Sequence, residues 1–126
     1  MFHYEQYITY NNIERSDNRI FTKESFKVNP SPVPIVVGDW DYANVIGFAE
    51  LENRDEGVYA KCSFFDTDLA KETAVMLIDR KELTMSFRAY HVKHDEDGKT
   101  VIGGRIRVLI PIPLGTEYTY QVKMEV

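Results

Sequence analysis

A single cysteine, Cys62, is all the chain has, so no disulfide can form within it. A lone thiol suits a reducing compartment. Basic residues form no block: 15 Lys and Arg are outweighed by 20 Asp and Glu, for a formal charge of −5. Nucleic acid is held by positive surface that displaces counterions from phosphates, so no nucleic-acid partner is expected. No apolar run approaches the ~20 residues that a membrane-spanning helix needs. No charged leader precedes an apolar stretch at Met1–Gln6, so neither export nor a membrane partner is expected and folding should occur in a cytoplasm. Repeats and low-complexity segments are also missing.

What is present suits a packed globule: 44% hydrophobic and 13% aromatic residues in 126 positions. A chain of this size buries roughly two-thirds of the surface its unfolded form exposes. One domain, 1–126, is therefore expected.

Period-two patterns dominate. Phe2, Tyr4, Ile8 and Tyr10 alternate in the first strand. Arg19–Thr22 is a short extended piece, and Val33–Val37 a short buried strand after the break at Asn29-Pro30-Ser31-Pro32. Val45–Glu52 and Val58–Phe65 read as a hairpin closed near Gly57, with Val58, Ala60, Cys62 and Phe64 on one face. In that step Cys62 reads as a small buried hydrophobe. Leu83–His94 and Lys99–Ile112 are further strands, joined by the turn Asp95-Glu96-Asp97-Gly98 and bent at Gly103-Gly104. In the latter Ile106, Val108, Ile110 and Ile112 should face one way, and Pro111 and Pro113 should stop it or mark an edge. Tyr118, Tyr120, Val122, Met124 and Val126 give a last one-faced strand. The period changes once: Leu69, Thr73, Met76, Leu77 and Arg80 predict one helix over about 67–80, capped by Asp66-Thr67-Asp68. The expected fold is mostly β (α+β), a small closed or nearly closed barrel of about seven strands with that helix packed against it.

Several of these stretches occur in an order that resembles the prohead (capsid-maturation) serine proteases of tailed bacteriophages, across roughly three-quarters of the chain, Arg19–Gly115. Arg19-Ile20-Phe21-Thr22-Lys23-Glu24-Ser25-Phe26 is similar to that family's early extended segment. Val33–Tyr42 followed by Val45-Ile46-Gly47 resembles its apolar strand, His-Asp and Pro-Ile-Gly. Gly57-Val58-Tyr59-Ala60 through Phe65-Asp66-Thr67 resembles its Gly-Leu-Tyr to Asp-Thr hairpin, and Leu83-Thr84-Met85-Ser86-Phe87-Arg88 its nucleophile strand. The acidic turn and Val108–Pro113 then follow in family order. The resemblance implies a barrel like the herpesvirus assemblin and a role in building or maturing a phage head.

The same comparison implies a degraded active centre. The family's histidine falls on Trp40, its aspartate on Asp41, its nucleophile on Ser86, and its third, acidic member at Arg107. A serine hydroxyl needs a base to become a nucleophile, and an indole N–H only donates. His91 lies an odd five residues from Ser86, on the opposite face of a regular strand. His94, eight residues on, is about 26 Å away along a strand, whereas proton transfer needs about 3 Å. Only His3, from a different segment, is left as a substitute base. A catalytic set is therefore not expected.

Trp40, Tyr42, Ser86 and Arg88 instead form the expected interaction face, while Phe48, Phe64 and Tyr120 are expected in the core. No cofactor or metal is expected: His91-x-x-His94 sits in extended structure without further ligands, the acidic turn lacks the later Glu of a calcium loop, and Gly103-Gly104 leads into no phosphate-binding helix. Arg105 and Arg107 read as a solvated strand face.

The leading expectation is a non-catalytic phage virion or head-assembly protein. Its expected partners are capsid, scaffold or neighbouring virion subunits, including copies of itself, in the virion or the host cytoplasm during assembly. Two alternatives compete with it: a maturation protease using Ser86 with a non-family base, and a free regulatory binding module of a phage or prophage.

Overall fold

The computed structural model describes residues 2–15, 18–27, 32–38, 44–116 and 122–126. Among these residues six strands form one sheet: β1 (Phe2–Tyr7), β2 (Val33–Val36), β3 (Val45–Asn53), β4 (Val58–Phe64), β5 (Leu83–His94) and β6 (Val101–Pro113). Their order is β1-β4-β3-β2-β6-β5. All neighbours are antiparallel except β2 and β6, which meet in parallel at Ile35 and Leu109. The fold is mostly β with one helical segment, as the patterning predicts.

The β3–β4 hairpin forms as expected. Val58, Ala60, Cys62 and Phe64 are buried, and the turn closes through Arg54 and Gly57 backbone bonds. Burial pushes the Cys62 thiol up to about 12, which keeps it protonated and a poor nucleophile. The acidic turn also holds. Asp97 accepts from the Lys99 and Thr100 N–H groups and from the Thr100 hydroxyl, which lowers its carboxyl below the usual range.

Thr67 caps the helix by accepting from Ala70 N–H, after which α1 (Asp68–Ala74) runs into a π-helical turn, Val75–Asp79. The buried stripe is Ala70, Thr73, Ala74 and Leu77. It sits slightly to one side of the expected one, and Arg80 is exposed. The wider π-turn, in which Arg80 N–H reaches back to Val75 C=O, shifts the spacing on which the Arg80 expectation rested.

Among the described residues, backbone pairing does not close the sheet into the expected barrel of about seven strands. Segment 18–27 contributes isolated bridges, at Ile20 and Lys27, and Val122–Val126 a single bridge from Met124 to Ala89. Residues 117–121, with Tyr118 and Tyr120, lie outside the described residues. The sheet is open, but its end strands are linked by a side chain. Gln6 accepts from Met85 N–H at 3.1 Å and donates to Thr84 Oγ1 at 3.0 Å. A polar residue thus stands in the otherwise apolar alternation of β1 because it bridges two strand edges.

Two expectations about β6 are corrected. Ile106 enters the core, but Val108, Ile110 and Ile112 do not share its face. Ala89 pairs with Ile106 and Arg88 with Val108, leaving Arg107 as the extra residue of a bulge. One inserted residue reverses the alternation, so Leu109 joins the core and its neighbours turn outward. Pro111 does not end the strand. It lies opposite Met85, beyond the one register pair with β2, where its missing N–H costs no ladder bond on that side.

Phe64 is core, as expected, whereas Phe48 is only partly buried and packs on Phe65 at 6.4 Å, because it alternates with inward Gly47 and Ala49. The core includes an aromatic trio: Phe21, Phe26 and Phe87, with ring centroids 5.2–5.8 Å apart.

Candidate functional site

The alternation of β5 decides where Ser86 points. Met85, Phe87 and Ala89 enter the core, so Thr84, Ser86 and Arg88 take the opposite face. There they stand across from Ile112, Ile110 and Val108. This second face is also covered. Ser86 is 5% exposed, and Val108, Ile110 and Ile112 are buried. The hollow beside Ser86 has a volume of about 10 Å³ and is lined by Tyr7, Ile8, Tyr10, Thr84, Met85 and Ile112. That is room for no more than about one water molecule.

No imidazole reaches this hollow. His3 lies on the outward face of β1, opposite Ser63 of β4, and its Nδ1 is 3.2 Å from Ser63 Oγ. It is therefore not a base for Ser86. His91 is exposed and tilts against the Tyr90 ring at 4.8 Å, with a φ of 53° where β5 is irregular. His94 pairs with Val101 at the far end of β5.

The His3–Ser63 pair was not legible in the sequence. Both residues occupy outward positions, but nothing in the residue pattern sets the register of β1 on β4. The pair borders an open hollow of about 260 Å³ with Glu5, Phe48, Glu50 and Lys61. A serine and a histidine at this distance suggest nucleophile and base, but acyl transfer also needs N–H groups aimed at a developing oxyanion. Strand β4 is paired on both sides, with β1 and β3, so its N–H groups are committed to the sheet. The contact is a cross-strand hydrogen bond of a solvated face.

No family model, curated protein or solved structure matches the chain.

Of the positions that the sequence resemblance marks, Trp40 and Asp41 lie outside the described residues, as does Tyr42 of the interaction face. Gly38, the last described residue before them, lies beside Arg88, whose Nη2 donates to Gly38 C=O at 3.2 Å. Arg88 and Arg107 are brought together. They line a pocket of about 150 Å³ with Ala89, Val108, Lys123 and Glu125. Ser86 is not part of it. Arg107 is exposed, as expected for a solvated face, and pairs loosely with Glu125, 3.9 Å away. The sequence offered no sign of this pocket, because it depends on the β6 bulge and on where the C-terminal segment lies.

Proposed function

We propose that this chain is a non-catalytic protein on a prohead-protease-like open barrel, acting in phage head assembly by binding capsid, scaffold or neighbouring virion subunits. The observation that carries the proposal is the setting of Ser86: a residue only 5% exposed, on a hollow of about 10 Å³ that no histidine reaches. A peptide carbonyl would have to approach within about 3 Å of that oxygen, with a base at similar range. The barrel part of the proposal is supported by the Gln6 bridge between β1 and β5, which brings the two ends of the sheet within side-chain reach. Binding would use the open end of that sheet, around Arg88 and the exposed Arg107, rather than the covered surface at Ser86.

The test is co-production with the capsid and scaffold proteins, comparing the natural chain with Ser86→Ala. Identical, uncut partner patterns are expected, with the chain retained in purified particles in fixed copy number. Fragments that appear with the natural chain and vanish with Ser86→Ala would establish a protease instead.

A further inference from the structure

We infer that the pocket between β5, β6 and the C-terminal segment is an oxyanion-binding site, built to take a carboxylate or phosphate group. Three cations line it, Arg88, Arg107 and Lys123, against one carboxylate, Glu125. This local excess of positive charge stands on a chain whose formal charge is −5, so it does not follow from overall basicity.

Backbone geometry assembles the group. The bulge at Arg107 turns that side chain out of the regular alternation of β6, and bulges commonly re-aim a side chain in this way. Lys123 and Glu125 are fixed by their own backbones: Ala89 N–H donates to Lys123 C=O at 3.0 Å, Val92 N–H to Glu125 C=O at 2.9 Å, and Glu125 N–H to Ala89 C=O at 3.0 Å.

Among the described residues, Arg88 and Arg107 have few partners. Glu125 stands 3.9 Å from Arg107, both side chains more than half exposed, and such a pair is loosely held and easily displaced. Arg88 spends one N–H on Gly38 C=O, while its Nε is buried with no hydrogen-bond partner among the described residues. A buried guanidinium donor left unpaired is costly. An oxyanion beside it would offset that cost, since guanidinium forks suit carboxylate and phosphate oxygens. The inference rests on these charges and bonds, and it stands whether or not the chain serves phage assembly.

The test is titration of the full chain at low salt with glutarate and, separately, inorganic phosphate, followed by backbone amide shifts. Saturable binding is expected, with the largest shifts at Arg88, Ala89, Arg107 and Lys123. Arg107→Gln and Lys123→Gln, at exposed positions, should each weaken it by about tenfold without lowering the melting temperature. Lys61→Gln, on β4, should leave it unchanged. Tighter glutarate binding would point to acidic side chains of a partner, and tighter phosphate binding to a phosphoryl group. Absence of saturable binding by either probe, or binding equal in both pocket variants and the natural chain, would overturn the inference.

Discussion

Gly47→Ala should lower the melting temperature by roughly 10 °C or more, corresponding to a loss of about 3 kcal/mol. The cause is proximity. A Cβ built on Gly47 would stand 2.1 Å from the Ser63 carbonyl oxygen and 3.0 Å from the Phe64 Cα. Both neighbours are backbone of β4, locked between β1 and β3, so neither can step aside without breaking a ladder. Gly103→Ala is the control. Its Cβ would meet only the Lys93 side chain, at 3.9 Å, and the substitution should change stability by less than about 1 kcal/mol. Thermal melts followed by circular dichroism separate the two. Equal melting temperatures for both variants would mean that β3 and β4 do not approach as described.

Phe87→Ala should cost about 4 kcal/mol. Phe87 is 1% exposed and its ring touches both Phe21 and Phe26. These two partners come from segment 18–27, which has little sheet pairing of its own. The segment is held by Ile20 bonds to Lys99 and Val101, by Ser25 Oγ donating to Val101 C=O, and by Lys27 N–H on Gly104 C=O. Removing the ring leaves a cavity and frees the segment, so hydrogen exchange at Ile20 and Lys27 should accelerate along with global destabilisation. Ser86→Ala, one residue away on the other face, should change stability by about 1 kcal/mol or less. Chemical unfolding gives both values. A small effect at Phe87 with a large one at Ser86 would mean that β5 is turned over.

The parts of this architecture written in the sequence are those fixed by local pattern. The Val58–Phe64 alternation, the Thr67 cap, the Asp97 turn and the glycine punctuation all report on residues within a few positions of one another. The parts that were illegible depend on non-local pairing. The bulge at Arg107 reversed the facing of Val108, Ile110 and Ile112, and no residue in that run announces it. Gln6 looked like a gap in an apolar pattern until Met85 and Thr84 stood beside it. The same holds for the site. That Ser86 lacks a histidine could be argued from Trp40 and from strand arithmetic, but its enclosure by Tyr7, Ile8 and Tyr10 required the meeting of β1 with β5. Whether His3 could serve Ser86 was left open by the sequence because it turned on register, and register paired it with Ser63 instead.

Whether Ser86 is a nucleophile can be read directly. Incubating the native protein with a fluorophosphonate, which phosphonylates activated serine hydroxyls with loss of fluoride, and mapping adducts by mass spectrometry tests both its reach and its basic partner at once. A hydroxyl this enclosed, with no imidazole beside it, should carry no adduct after prolonged incubation, leaving the native protein as unmodified as Ser86→Ala. A stoichiometric adduct on Ser86 would contradict the account and restore the chain to the enzymes.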